Sequence, residues 1–172
     1  MSKILIVIDM QNDFIDGVLG SREAIAIVPN VFKKVEEYRS RGDRIIFTRD
    51  THFVNYLKTL EGKNLPYPHC IAATNGWKIR DGLFDEETDY VIQKFSFGYH
   101  RWDGFNLGDE DNIELIGLCT DCCVVSNALI LRAVYPETEI TVDASCCAGT
   151  TPELHKAALQ VMKSCQINVI GE

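Results

Sequence analysis

Six short runs of β-branched and other apolar residues recur along the chain, and most of them are separated by longer stretches with helical periodicity. The runs cover residues 4–8, 44–48, 90–93, 113–116, 139–142 and 167–170. Such alternation is typical of a parallel sheet whose two faces are covered by helices. The sequence therefore predicts an α/β fold, with three α/β/α layers around a mostly parallel, roughly six-stranded, Rossmann-like sheet.

Three helices are indicated by periodicity and by residues that favour helix ends. One is predicted over residues 29–41, because Pro29 suits the first position of a helix and Gly42 suits a stop. A second should run from the Thr151-Pro152 pair to about residue 164. A third should begin near Asp121, and since its apolar residues cover most of the circumference, it is predicted to be largely buried.

Length and composition narrow the class of protein. A chain of 172 residues suits one domain, which we expect to span residues 1–172. The net charge of −8 disfavours nucleic acid as a partner, since binding to phosphates needs clustered Lys and Arg. The apolar run before Asp9 has only five residues, too short for a signal peptide or a membrane span, so we expect a cytoplasmic protein without a membrane partner.

Polar side chains follow four of the predicted strands. They are Asp9 after the first strand, Asp50 and His52 after the second, Lys94 after the third and the segment 119–123 after the fourth. In open parallel sheets, ligands bind at the carboxyl ends of the strands. Although polar residues are ordinary at the end of any single strand, their joint occurrence predicts a functional site at this edge.

The segment 119–123, with the sequence CTDCC, allows three readings. Its C-x-x-C spacing fits a redox pair or half of a zinc site. Alternatively, one cysteine is a nucleophile served by a base from another strand, and a position at the start of a helix would favour its thiolate. In the third reading, the cysteines are small buried apolar residues. Seven cysteines, with two adjacent pairs, in any case indicate reduced thiols rather than disulfides. Thr120 or Asp121 is expected to cap the helix.

Three segments together resemble the isochorismatase-like cysteine hydrolases. They are IDMQNDF at 8–14, the lysine at 94, and GLCTDCCV at 117–124. The resemblance implies that Cys123 is the nucleophile, Asp9 the proton acceptor and Lys94 the third member of a triad. It also implies a cis peptide bond between Leu118 and Cys119, with the backbone N–H groups of Cys119 and Cys123 as the oxyanion hole.

The chemistry of such a triad is consistent with the residue types. A thiol with a usual pKa near 8.5 needs a base or a positive field to attack an amide at neutral pH, and Asp9 beside Lys94 supplies both. A thioester would form with loss of ammonia, and water would then release the acid. Asp9 would protonate the leaving amine and later activate the water.

Asp50, His52 and His69 form a candidate metal triad. Two imidazoles and a carboxylate suit one divalent ion, with Zn²⁺ as first choice and Fe²⁺ or Mn²⁺ as alternatives. Within the superfamily, the D-x-H motif followed by P-x-H-C resembles the nicotinamidases, and here TRDTHF at 48–53 precedes YPHC at 67–70. The resemblance implies that the metal binds the pyridine nitrogen of nicotinamide.

Several residues around the expected pocket depart from the nicotinamidase pattern. Pro66 stands where many nicotinamidases have tryptophan, and Ala73 stands where a glycine is expected. The segment 95–105, FSFGYHRWDGF, is either a lid over a flat ring or a filler for a missing helix before the fourth strand. We expect Phe14 and Tyr99 to line the substrate pocket.

The primary prediction is a nicotinamidase-type amidohydrolase that converts nicotinamide to nicotinate and ammonia. One alternative is a hydrolase of another small amide on the same fold. The other is a non-catalytic binding or redox-responsive protein in which Cys122 and Cys123 sense oxidants. A small-molecule amide is the expected ligand, and the superfamily resemblance implies a homo-oligomer. His100 and His155 are predicted to be surface residues.

Overall fold

The computed structural model describes residues 3–105, 107 and 112–172. Its six strands form one parallel sheet in the order β3-β2-β1-β4-β5-β6. The strands are β1 (Lys3–Ile8), β2 (Arg44–Asp50), β3 (Tyr90–Lys94), β4 (Asn112–Leu118), β5 (Glu139–Ala148) and β6 (Asn168–Ile170). The predicted six-stranded α/β architecture is confirmed.

Strand β1 lies at the centre of the sheet and separates two apolar layers. Its residue Ile4 pairs with Arg44 of β2 and with Ile113 of β4. Because successive side chains of a strand point to opposite faces, Ile4 packs in one buried cluster and Leu5 in the other. Both faces of the sheet are therefore covered, as a parallel sheet requires.

Five helices accompany the sheet in the described part of the chain. They are α1 (Asn12–Ile15), α2 (Arg22–Ser40), α3 (Leu60–Asn64), α4 (Val125–Val134) and α5 (Pro152–Ser164). None of them is both long and apolar enough to cross a membrane. Helix α5 agrees with the prediction, and the Thr151 side chain caps it by accepting a hydrogen bond from the Leu154 N–H.

The predicted start of the first long helix at Pro29 is wrong. Helix α2 begins seven residues earlier, where Ser21 accepts a hydrogen bond from the Ala24 N–H, and Pro29 lies inside the helix. Ala24 and Ile27 continue the buried stripe of α2 towards its N-terminus. Burial of this stripe against the sheet therefore outweighs the hydrogen bond that proline cannot donate.

The chain enters the third helix through a π-helical turn at Thr120–Val124, before α4 begins at Val125. The expectation that this helix is largely buried holds for one face only, since Ala128 and Leu131 are buried while Leu129 is partly exposed. Before β4, the described residues form only a 3₁₀ turn at Trp102–Gly104, which agrees with the expected lack of a full helix.

An ionic cluster holds α2 against the sheet. The Lys34 ammonium lies 2.7 Å from Glu114 of β4 and 2.9 Å from Asp143 of β5. The Tyr38 hydroxyl donates a 2.6 Å hydrogen bond to Glu114. Burial alone would lower the pKa of Lys34, but its bonds to the two carboxylates raise it. The lysine is therefore charged, and its two ion pairs attach α2 to β4 and β5.

Candidate active site

Asp9, Lys94 and Cys123 meet at the carboxyl edge of the sheet. The Lys94 Nζ atom lies 2.6 Å from Asp9 Oδ2 and 3.4 Å from Cys123 Sγ. All three residues are buried, with exposed fractions of 0%, 1% and 3% for Asp9, Lys94 and Cys123. The structure thus brings together the three residues for which a catalytic triad was predicted.

The carboxylate of Asp9 is held from two sides. The Thr48 hydroxyl donates a 2.6 Å hydrogen bond to Asp9 Oδ1 and accepts one of 3.2 Å from the Asp9 N–H. Asp9 has a left-handed backbone with φ of 47°, which is uncommon outside glycine. Such conformations occur where the surroundings over-determine them, often at functional sites. Asp9 Oδ2 is left facing Lys94.

Burial decides the protonation of the thiol. Burial raises the pKa of Cys123, Lys94 lowers it, and Asp9 and Asp50 raise it further. Burial also raises the pKa of Asp9, which makes it a stronger base than an ordinary carboxylate, although Lys94 opposes this shift. Burial alone would lower the pKa of Lys94, but its acidic neighbours raise it. The site therefore places a thiol with a raised pKa beside the Lys94 ammonium and the Asp9 carboxyl group.

The neighbouring cysteines do not have the low pKa expected at the start of a helix. Burial, together with a smaller effect of Asp121, raises the pKa of Cys122 to about 11. Burial likewise raises the pKa of Cys119. Reactive cysteine pairs in redox proteins have a lowered pKa, so the raised pKa of both thiols disfavours a redox pair at this C-x-x-C spacing.

The turn that carries Cys123 is attached to the start of helix α5. The sequence predicted that Thr120 or Asp121 caps the helix, but neither side chain does so. Instead, Asp121 accepts hydrogen bonds from the Thr150 N–H at 2.8 Å and the Thr150 hydroxyl at 2.5 Å.

The neighbouring Thr120 contacts helix α5, since its hydroxyl lies 2.8 Å from Nδ1 of His155. His155, predicted as a surface residue, is only partly exposed, because it packs against this turn. The Leu118–Cys119 peptide bond is cis, as expected.

A second cluster lies beside the triad. One ligand atom from each of Asp50, His52, Glu61 and His69 lies within 4.8 Å of the others. Nε2 of His52 is 3.0 Å from Asp50 Oδ2 and 3.5 Å from Glu61 Oε1, while Nε2 of His69 is 3.6 Å from Glu61 Oε1. Lys94 also donates a 3.1 Å hydrogen bond to Asp50 Oδ1. The lysine therefore connects the two clusters.

Glu61 was not found from the sequence. It lies in the first turn of the short helix α3, where Thr59 caps the helix through the Gly62 N–H. The pattern of Thr59 and the next residues predicts a capped turn, but no spacing connects this carboxylate to the D-x-H motif. Only the fold of the segment between β2 and β3 brings Glu61 to His52 and His69.

The donor atoms fit a divalent metal ion. Nδ1 of His69 lies 2.8 Å from the Tyr67 carbonyl oxygen, an acceptor that assigns the proton to Nδ1 and leaves Nε2 free to bind a metal. Glu61 Oε1 is buried and has no hydrogen-bond partner among the described residues. Burial alone would raise the pKa of Asp50, but the hydrogen bond with His52 and the charge of Lys94 lower it. Two imidazoles and two carboxylates are a usual set for Zn²⁺, Fe²⁺ or Mn²⁺.

A cavity of about 310 Å³ opens onto both clusters. Its lining is mostly apolar, and it includes Cys123 and the metal-site residues Asp50, Glu61 and His69. The remaining lining residues are Phe14, Leu19, Gly20, Ser21, Ala24, Leu65, Phe97, Leu118, Cys119, Cys122, Gly149 and Thr150. Phe14 therefore lies in the pocket wall as predicted.

Tyr99 does not line this cavity, although the sequence predicted it there. The centroid of its ring lies 5.4 Å from that of Trp102 and 6.2 Å from that of Phe105, and the ring packs against the apolar core. The residue of this segment that lines the cavity is Phe97. The error arises because spacing alone does not show which aromatic side chain of an irregular segment turns inward.

Comparisons with known proteins agree with this architecture. The isochorismatase domain family model matches residues 3–171. A probable inactive nicotinamidase from Arabidopsis thaliana is 31% identical, over 93% of this chain and 87% of that protein. A nicotinamidase from Schizosaccharomyces pombe is 28% identical, over 98% of this chain and 92% of that protein.

Similarity extends to solved structures. The crystal structure of the pyrazinamidase of Pyrococcus horikoshii in complex with zinc superposes with a TM-score of 0.83 at 27% sequence identity, over the full length of both chains. The family model matches residues 3–171, which include all six strands of the sheet and the site at its carboxyl edge. This chain therefore belongs to the isochorismatase family of hydrolases.

Proposed function

We propose that the protein hydrolyses a small aromatic carboxamide, with nicotinamide as the first candidate, to the acid and ammonia through a cysteine thioester. One observation carries the proposal: Cys123, with Asp9 and Lys94 beside it, lines the same cavity as Asp50 and His69 of the metal-site cluster. A nucleophile with a base beside it and a candidate metal site thus meet at one small cavity.

The first half of the reaction would transfer the acyl group to sulfur. The Cys123 thiol gives its proton to Asp9 as Sγ attacks the amide carbon, and Lys94 stabilises the sulfur anion as it forms. The N–H groups of Cys119 and Cys123 would hold the oxyanion, each contributing about 3–4 kcal/mol to transition-state stabilisation. Asp9 then donates its proton to the leaving nitrogen. The C–N bond breaks, and ammonia leaves a thioester on Cys123.

The second half would regenerate the thiol. Asp9, again a carboxylate, accepts a proton from water as the water oxygen attacks the thioester carbon. The C–S bond breaks, the acid is released, and the proton held by Asp9 returns to Cys123. The raised pKa of the Cys123 thiol suits this cycle, because a base is then needed to remove its proton. Asp9, the proposed base, lies 2.6 Å from the Lys94 ammonium.

Asp50, His52, Glu61 and His69 would hold one divalent ion, with Zn²⁺ as first choice and Fe²⁺ or Mn²⁺ as alternatives. When bound, such an ion would act as a Lewis acid on the ring nitrogen of the substrate and orient the ring. The protein side chains around it keep the ring between apolar walls. Phe14 and Leu65 line the cavity, whose volume of about 310 Å³ is at the small end of ligand pockets.

A hydrolase of another small amide is the second candidate. It is favoured by the segment 95–105, which departs from the nicotinamidase pattern and supplies Phe97 to the cavity wall. The third candidate, a thiol sensor, is disfavoured by the raised pKa of Cys122, and by the burial of Asp9 and Lys94 together beside Cys123.

Ammonia release from nicotinamide tests the proposal. We expect turnover by the zinc-loaded wild type and by Cys165→Ala, which changes an exposed cysteine. We expect no turnover by Cys123→Ala. Turnover on aliphatic amides alone would support the second candidate, and no turnover on any small carboxamide would contradict an amidase. Activity that survives complete removal of metal would contradict the role given to Asp50, His52, Glu61 and His69.

A further inference from the structure

Asn127 is a buried polar residue on α4, one turn beyond Cys123, with an exposed fraction of 0%. Its side-chain amide uses all four hydrogen-bonding positions that such a group has. Nδ2 donates to the carbonyl oxygens of Cys123 at 2.8 Å and Phe97 at 3.1 Å. Oδ1 accepts from the Tyr99 N–H and from the Trp102 indole N–H, both at 2.9 Å. The amide thus joins the nucleophile to the segment 95–105.

Apolar burial anchors the middle of the segment 95–105 at Trp102, whereas its end near the cavity is held mainly by hydrogen bonds. Phe97 is 47% exposed although it lines the cavity, so apolar burial fixes it only weakly. The backbone of Gly98 packs closely against α4, since a Cβ atom there would lie 2.4 Å from Cδ1 of Ile130. A buried amide without hydrogen-bond partners is unfavourable in free energy. The full set of hydrogen bonds to Asn127 therefore favours a single position of the segment against α4.

We propose that Asn127 is a positioning residue that fixes the Phe97 wall relative to Cys123, and that it thereby selects carboxamides that carry a ring. The substrate class in this inference rests on the proposed function, but the placement of the wall does not. The segment acts as a fixed wall and not as a mobile lid, because the residue that seats it also bonds the backbone of the nucleophile.

The chain offers a matched control at the far end of the same segment. The Tyr135 hydroxyl lies 2.7 Å from the carbonyl oxygens of both Trp102 and Phe105. Tyr135→Phe therefore removes an anchor of the segment without touching the turn of Cys123. A purely structural role for Asn127 predicts that Asn127→Ala and Tyr135→Phe have similar consequences.

The test compares alkylation of Cys123 by iodoacetanilide, which carries a phenyl ring, and by iodoacetamide, which does not. Rate constants are measured by peptide mass spectrometry that distinguishes Cys123 from Cys122. We expect Asn127→Ala to lower the preference for the ring-bearing reagent about three- to ten-fold, as loss of a ring contact should. Tyr135→Phe should leave it within about two-fold. In steady-state hydrolysis of nicotinamide, Asn127→Ala should raise KM more than it lowers kcat.

A double mutant shows whether Asn127 acts through the wall. If it does, Asn127→Ala changes the reagent preference little once Phe97→Ala has removed the ring. Should Asn127→Ala fail to fold, Asn127→Ser takes its place. The inference is overturned by an unchanged preference, by additive effects with Phe97→Ala, or by an equal effect of Tyr135→Phe. A wild type that hydrolyses no carboxamide but shows the predicted alkylation pattern would refute the proposed function alone.

Discussion

The Lys94 ammonium donates a hydrogen bond to Asp50 Oδ1 at 3.1 Å, and this contact joins the proposed catalytic triad to the proposed metal site. The same nitrogen lies 2.6 Å from Asp9 Oδ2. One buried cation thus faces carboxylates of both clusters. Its loss would leave two buried acids without their counter-charge, so chemistry and stability depend on it together.

Lys94→Met is expected to abolish amide hydrolysis and to lower the free energy of unfolding by about 3 kcal/mol, because removal of one partner leaves buried charges uncompensated. Ammonia release and urea denaturation measure the two effects. Lys163→Met is the control, since Lys163 is bonded only to Glu172 among the described residues and is half exposed. Retention of full stability by Lys94→Met would show that Asp9 and Asp50 are not both ionised.

Glu61→Gln is expected to weaken zinc binding at least about ten-fold, because it replaces a charged oxygen donor with a neutral one in the proposed site. Titration against a competing chelator measures the affinity without any assay of activity. Glu36→Gln changes an exposed acid on α2 and should leave the affinity unchanged. Equal affinities of wild type and Glu61→Gln would remove Glu61 from the ligand set.

Asp143 should stabilise the protein above acidic pH. Burial alone would raise its pKa, but the hydrogen bonds from Ser145 and Lys34 lower it below 3.8. A carboxyl group with a depressed folded-state pKa contributes stability above its unfolded-state pKa, and this contribution is lost as pH falls through the folded-state value. Asp143→Asn should therefore cost about 1–2 kcal/mol at pH 7, and the difference from wild type should shrink below pH ~4.

Urea unfolding between pH 7 and pH 2 would follow this difference. A constant gap between Asp143→Asn and wild type across that range would contradict the depressed pKa.

Gly117→Ala is expected to lower the free energy of unfolding by more than about 2 kcal/mol. Gly117 has φ of +119°, and a Cβ atom there would lie 2.1 Å from the Ile8 carbonyl oxygen. Because Gly117 lies two residues before Cys119, whose N–H belongs to the proposed oxyanion hole, activity should fall as well. Gly104→Ala is the matched change, since a Cβ atom at Gly104 meets nothing within 4 Å. Thermal unfolding of both variants distinguishes a local clash from a general cost of alanine.

The sheet and the residues at its strand ends were predictable from the sequence. Buried parallel strands are marked by β-branched runs, and the topology of such sheets brings their carboxyl ends to one edge. Asp9, Lys94 and Cys123 each follow a run of this kind, and the resemblance of the motifs at 8–14 and 117–124 indicated which of the strand-end groups to combine.

The parts that sequence reasoning missed depend on contacts between distant segments. Glu61 and Asn127 carry no motif, and their partners lie in other elements. The assignment of Tyr99 to the pocket failed because the position of its segment depends on contacts with Asn127, which no local pattern reveals. Pro29 is tolerated inside α2 because tertiary burial outweighs local propensity.

The charges around Lys94 also affect how the cavity would bind the substrate and release the product. With Asp9, Asp50 and Glu61 ionised, one ammonium leaves two negative charges in excess, which a divalent cation held there would cancel. An uncharged amide would then enter an electrically balanced chamber with mostly apolar walls. Its carboxylate product would bring a new negative charge into that chamber and lose hydration there. Under the proposed reaction, the product would therefore bind less favourably than the substrate, and this difference would favour its release.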